Sequence, residues 1–137
     1  MTPQILVAER IAPAGLELLA AAGDVVDGTT FDRVALLDAV AAADALVVRS
    51  ATQVDAELIA RADQLRVIGR AGVGVDNVDV AAATRRGILV CNAPQSNIVS
   101  AAEHTIGLLL ALARNIPQAH AALRAGRWER AKWGGGH

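Results

Sequence analysis

The sequence predicts a doubly wound α/β domain of the flavodoxin-like kind, a five-stranded parallel sheet with helices on both faces. Three observations predict it. Short β-rich runs alternate with Ala-rich segments of helical spacing, the order of stacked βαβ units. The strand runs are mostly continuous in apolar residues, as a sheet covered on both faces requires. Glycines occupy joints where helices end.

In chain order, strands are predicted over Gln4 to Ala8, Asp24 to Asp27, Ala45 to Val48, Arg66 to Gly69 and Ile88 to Cys91. Helices are predicted between them, over Pro13 to Ala22, Asp32 to Ala42, Asp55 to Ala62 and Asp79 to Arg86, each with apolar residues at helical spacing. Gly23 and Gly87 fall where a left-handed helix end favours glycine. A further helix is expected from Ser100 to Ala113, with Ser100-Ala101-Ala102-Glu103 reading as a capping box. Its stretch from Ile106 to Ala113 has no polar face and so demands burial on every side, while the sheet of a second domain that would cover it is missing from this chain.

Composition narrows the class of partner. The chain has 137 residues, 53% hydrophobic and 20% charged, which suits a compact domain with a core of its own. Lys and Arg number 13 against 14 Asp and Glu, so the net charge of −1 gives no field for nucleic acid or an anionic membrane surface. No apolar stretch approaches the roughly 20 residues of a membrane span, and no signal peptide opens the chain. Cytoplasm is the expected compartment. Cys91 is the only cysteine, so no internal disulfide or thiolate metal cluster can form, and it is expected to be a small buried hydrophobe. His104, His120 and His137 lack metal-ligand spacing, and no metal site or catalytic role is assigned to them.

In an open parallel sheet, ligands bind at the carboxyl ends of the strands. The third strand leads into Arg49-Ser50-Ala51-Thr52, a guanidinium fork and two hydroxyls before a helix. That suits a carboxylate or phosphate, helped by the amides at the start of the Asp55 helix. A solvated arginine, with Thr52 and Asp55 serving only as a cap, accounts for the same spacing equally well. The fourth strand leads into Arg70-Ala71-Gly72-Val73-Gly74-Val75-Asp76-Asn77, where two glycines permit close approach to a ligand. A dinucleotide fingerprint would need a third glycine at Asn77 and a place after the first strand. On residues alone a tight turn, with Asp76, Asn77 or Asp79 capping the next helix, is the favoured reading.

Together, the motifs Val48-Arg49-Ser50-Ala51-Thr52, Gly69 through Asp79, Asn92-Ala93-Pro94 and Ala101-Ala102-Glu103 resemble, in order and spacing, the D-isomer-specific 2-hydroxyacid dehydrogenases, and among them the phosphoglycerate-oxidising members. The resemblance reaches to about Trp133. It implies a substrate-binding domain over residues 1–97 and the start of a Rossmann NAD-binding domain over 98–137. It implies substrate-binding roles for Arg49, Ser50, Gly72, Val73, Gly74 and Asn97, with the Gly72 to Gly74 amides receiving the substrate carboxylate. Val73 would also touch the nicotinamide of NAD, the implied cofactor, and Asn77 would brace the glycine loop. The implied reaction is oxidation of the C2 hydroxyl of a D-2-hydroxyacid, 3-phosphoglycerate first, as a step of serine biosynthesis in a homo-oligomer of at least two subunits.

The family's Gly-x-Gly-x-x-Gly loop, its acidic ribose ligand and its catalytic arginine, glutamate and histidine fall beyond the matching segment, so no catalytic residue is assigned. The chain is expected to be a truncated amino-terminal part, inactive alone and prone to self-association through Ile106 to Ala113. Alternatives are a glyoxylate, hydroxypyruvate or lactate-type relative, or a non-catalytic remnant or binding module of the same fold. A phosphoacceptor signalling module would need an aspartate at the end of the third strand, where Val48-Arg49 stands, and paired acids where Ala8-Glu9-Arg10 stands.

Overall fold

The computed structural model describes residues 2–134. The chain divides into two compact units, Met1–Ser96 and Asn97–His137.

In the first unit five strands, β1 (Gln4–Val7), β2 (Asp24–Asp27), β3 (Ala45–Val48), β4 (Val67–Arg70) and β5 (Leu89–Asn92), alternate with four helices, α1 (Pro13–Ala22), α2 (Arg33–Val40), α3 (Ala56–Arg61) and α4 (Val80–Arg85). The sheet is parallel throughout, in the order β2-β1-β3-β4-β5. This is the doubly wound arrangement that the alternation predicts. Its strands and helices fall within about two residues of the predicted bounds.

Local chemistry fixes three of the helix starts. Asp32, Asp55 and Asp79 each accept a hydrogen bond from the backbone amide three residues on, at Ala35, Leu58 and Ala82. These bonds satisfy amides that a helix start leaves without partners. Burial follows the sheet order. The central strands β1, β3 and β4 supply Leu6, Leu46, Val48 and Ile68, which close with Leu36, Val40, Leu58 and Ile59 into one core. β2 and β5 are the edge strands, and their ends stay exposed.

Gly87 has φ +71°, the left-handed helix end that glycine permits. Gly23 does not. Its φ of −175° is ordinary extended backbone, and the reason for glycine is steric instead, since a Cβ there would run into the carbonyl oxygen of Pro3. Cys91 is exposed rather than buried, because it lies on edge strand β5, which has no neighbour on its outer side.

The second unit contains α5 (Ile98–Ala113), α6 (Ile116–Arg124) and α7 (Arg130–Trp133). Asn115, at φ 53°, makes the left-handed turn between the first two. The expected capping box does not form. α5 starts two residues earlier with Asn97 as its cap, and the Asn97 carbonyl already accepts from the Ala101 amide, which puts Ser100 inside the helix. The demand for burial stays unmet, as expected of a helix whose cover is missing from this chain, for α5 has no buried residue among the described residues and Leu112 is 75% exposed. A single layer of helices without a sheet leaves most of an all-apolar helix uncovered. Gly135, Gly136 and His137 lie outside the described residues.

Candidate functional site

The carboxyl ends of β3, β4 and β5 carry three consecutive loops, and hydrogen bonds tie them in series. The loop after β3, Arg49 to Thr52, is held from two sides. From β1, the Glu9 carboxylate accepts the backbone amides of Arg49 and Thr52 on Oε1, at 2.8 and 2.9 Å, and that of Ala51 on Oε2, at 3.2 Å. From the opposite side, the Asn77 side-chain amide donates to the carbonyls of Arg49 and Thr52, at 2.8 and 2.7 Å. Asn77 is the one buried polar residue of the described chain, 5% exposed.

The segment that carries Asn77 is itself zipped to the residues after the β3 loop. The Val54 amide donates to the Asn77 carbonyl and the Asp79 amide to the Val54 carbonyl, both at 2.8 Å, forming a bridge between Val54 and Val78. The resemblance gave Asn77 the task of bracing the glycine loop. The structure shows it bracing the Arg49 loop, which couples the two.

The glycine loop follows β4. Its Val73 carbonyl accepts from the Asn92 side chain at 2.7 Å, and its Gly72 carbonyl from the Ala93 amide at 2.9 Å, so β5 anchors it. The Gly72 amide is spent on the Arg70 carbonyl at 2.8 Å. Among the described residues the amides of Val73 and Gly74 have no protein acceptor. Two outward donors remain for an oxyanion, rather than three.

Gly72 lies directly under the guanidinium of Arg70, which would have to move aside for a Cβ at that position. That guanidinium packs against the loop with its Nε buried and unpartnered. Arg70 was not singled out from sequence. The strand register could have found it, because Arg70 pairs with Val48 on one side and Asn92 on the other, in the middle of the ligand-facing edge. Arg70, Cys91, Asn92 and Ala93 border a recess of about 210 Å³ at this edge.

Electrostatics keeps the scaffold ionised. Partial burial raises the Glu9 pKa, but hydrogen bonds from the Thr52, Arg49 and Ala51 amides outweigh it and hold the carboxyl below its ordinary value. Asp55, which caps α3, is likewise held low, first by the Leu58 amide and then by Arg33. Arg33 reaches from α2 to Asp55 at 2.6 Å, Glu57 at 2.8 Å and the Gln53 carbonyl at 3.0 Å, and the hydrogen bond to Glu57 leads in raising its own pKa. Of the amides at the start of the Asp55 helix, those of Leu58 and Ile59 are taken by Asp55, while those of Ala56 and Glu57 have no acceptor among the described residues. Glu9 holds those of Arg49, Ala51 and Thr52 in the loop before it.

What the first loop offers a ligand is the side chains of Arg49 and Ser50, both exposed and without hydrogen-bond partners among the described residues. Of the predicted site residues, Arg49, Ser50, Gly72, Val73 and Gly74 gather at this edge. Asn97 belongs to the second unit, where it caps α5 without a side-chain hydrogen bond. No group of three or more His, Cys, Asp or Glu among the described residues could hold a metal ion. No described helix is long and apolar enough to cross a membrane.

Residues 5–131 match the family model of the D-isomer specific 2-hydroxyacid dehydrogenase catalytic domain. A D-3-phosphoglycerate dehydrogenase of Mycobacterium tuberculosis (strain ATCC 25618 / H37Rv) is 55% identical over 135 residues, which cover 97% of this chain and 25% of the relative. Among solved structures, a 2-hydroxyacid dehydrogenase from Ketogulonicigenium vulgare Y25 superposes with a TM-score of 0.77 at 34% identity, covering 93% of this chain and 41% of that one. An NAD⁺-bound 3-phosphoglycerate dehydrogenase of Entamoeba histolytica gives 0.70 at 27% identity, with 83% and 40% covered. The chain thus spans about a quarter of the length of the curated relatives it matches.

Proposed function

This chain belongs to the D-isomer specific 2-hydroxyacid dehydrogenases, and we propose that it is the substrate-binding part of an NAD-dependent oxidoreductase acting on the C2 hydroxyl of 3-phosphoglycerate. The observation that carries this reading is the β3 loop. Its backbone is pinned from both sides, so Arg49 and Ser50 project as a preorganised pair whose polar groups are uncommitted among the described residues. A guanidinium fork binds a phosphate or carboxylate bidentately, and fixing its base in advance spares the ligand that ordering cost.

The two free amides at Val73 and Gly74 suit a second oxyanion. A substrate with a phosphate at one end and a carboxylate at the other matches one guanidinium and one pair of amides on neighbouring loops. That correspondence, with the high identity to a D-3-phosphoglycerate dehydrogenase, favours the phosphorylated hydroxyacid over glyoxylate or lactate.

Val73, 40% exposed at the loop tip, fits the edge of a nicotinamide ring, and it is the one residue of this chain assigned to cofactor contact. When bound, NAD accepts the hydride. This chain's own contribution is to bind and orient the acid, while residues 98–137 are read as the start of the NAD-binding domain. By resemblance the enzyme is a cytoplasmic homo-oligomer.

The test is a titration of 3-phosphoglycerate into the chain, followed through backbone amide resonances. Shifts are expected at Arg49, Ser50, Val73 and Gly74. Arg49→Ala should weaken binding about 10- to 100-fold, the worth of a charge-assisted hydrogen bond, and Arg49→Lys should recover only part because the fork is lost. Equal affinity in all three proteins would make Arg49 a solvated strand-end residue, and tighter binding of glyoxylate than of 3-phosphoglycerate would move the assignment to that substrate class.

A further inference from the structure

The side chain that determines where Arg49 stands comes from forty residues away. We propose that Glu9 is a positioning residue for the anion site, clamping the backbone of Arg49 to Thr52 so that the guanidinium is presented to the ligand. The proposal rests on the reading that Arg49 binds the ligand's anion.

The placement of Glu9 starts with the sheet. β1 and β3 are neighbours, and the pairing continues one residue past β1, where the Ala8 amide donates to the Val47 carbonyl at 2.9 Å. Glu9 is therefore the first side chain beyond the sheet, beside the first loop residue after β3. Its two oxygens take three amides within a four-residue loop, as a short loop that turns its N–H groups inward requires of an anion.

A carboxylate is the one common side-chain group that meets this demand with acceptors alone. Glutamine would put an NH₂ donor against one of the amides, and alanine would leave all three without a side-chain partner. Two carbonyls of the loop backbone, those of Arg49 and Thr52, accept from Asn77. Acceptor and donor clamps thus grip opposite edges of the same segment.

The geometry also answers the obvious objection, that a carboxylate near Arg49 would neutralise the guanidinium rather than aim it. No Glu9–Arg49 side-chain ion pair lies within 4.0 Å among the described residues. Both Glu9 oxygens are committed to backbone amides instead, and the guanidinium charge stays available. Glu9 also borders a cavity of about 480 Å³ lined in part by α1.

The experiment compares the unsubstituted chain with Glu9→Gln, Glu9→Asp and, as a control carboxylate on the same sheet edge, Asp27→Asn. Two quantities are read: amide hydrogen exchange, residue by residue, and affinity for 3-phosphoglycerate. In Glu9→Gln, exchange should accelerate about 10-fold or more at Arg49, Ala51 and Thr52, with Leu58 and Ala82, capped by other aspartates, unchanged. The affinity should fall about 10-fold in parallel. Glu9→Asp should recover part of both, and Asp27→Asn should move neither.

Unchanged exchange at the three amides overturns the clamp. Accelerated exchange with retained affinity overturns the positioning role. If the unsubstituted chain does not bind 3-phosphoglycerate at all while Glu9→Gln still frees the three amides, the substrate reading fails and the clamp stands.

Discussion

Leu46 and Leu58 in the first unit are 0% exposed, whereas Leu110 and Leu112 in the second are 54% and 75% exposed. Leu46 lies in a strand as apolar as the Ile106–Ala113 run, and Leu58 in a helix that carries Glu57 and Arg61, yet Leu58, in the less apolar setting, is buried and Leu110 is not. Apolar sequence sets a demand for burial, and topology decides whether a segment can meet it from its own residues. In the first unit each strand gains neighbours in the sheet and helices on its faces, so the demand closes on itself. Among the described residues the second unit has three helices and no strand, and its α5 has no buried residue. The contrast extends to polar groups. The first unit spends its carboxylates on backbone amides at Glu9, Asp32, Asp55 and Asp79, while α5 starts without a side-chain cap.

The sharpest way to break this comparison is to separate the two regions. Each exposed leucine forgoes roughly 1.5–3 kcal/mol of burial, so several together exceed what a small domain can spare. The 137-residue chain is expected to self-associate, and a chain shortened to residues 1–96 to remain monomeric, as judged by light scattering. A monodisperse 14.1 kDa particle for the longer chain would show that α5 finds its cover within a single molecule.

Next in size is a pair of matched truncations. Leu58→Ala empties a fully buried site and should cost about 2–5 kcal/mol in denaturant unfolding. Leu110→Ala, measured at dilutions where the chain does not self-associate, should stay within about 0.5 kcal/mol, as exposed substitutions do. A similar cost for both would mean that Leu110 is buried in solution.

A third pair uses glycines. Gly23→Ala drives a methyl group against the Pro3 carbonyl and should destabilise by about 1–3 kcal/mol. Gly107→Ala meets open space inside α5 and should stabilise that helix by about 0.5–1 kcal/mol, read as increased helicity. Loss of helicity there would show a close contact at that face.

The smallest effect is in acid. Glu9 and Asp55 have folded pKa values below their ordinary ones, so the stability they contribute is complete above the ordinary carboxylate range. It is lost as pH falls through their folded values. Unfolding midpoints of residues 1–96 should therefore decline from about pH 4 downward, with a shallower decline in Glu9→Gln. An identical acid limb in that variant would remove Glu9 from the balance.

Sequence by itself determined the parallel five-stranded sheet, its strands and its helices, because these rest on patterns local to a few residues, and it left which strands lie side by side to the tertiary structure. The runs at Leu6 and Leu46 and the aspartates at 32, 55 and 79 are of that kind. It also determined which loops meet at the ligand edge, since the carboxyl ends of parallel strands share one side by construction. Only the tertiary structure decided what holds those loops. Glu9 meets its amides across 40 to 43 residues, Asn77 reaches back 25 to 28, and the orphaned Nε of Arg70 beside Gly72 depends on how β4 continues into its turn. The steric reason for Gly23, twenty residues from Pro3, and the exposure of Cys91 on the edge strand are of the same kind. Periodicity and capping record what a residue needs from its neighbours along the chain. A carboxylate that needs three amides finds them only when the sheet brings two distant strand ends side by side.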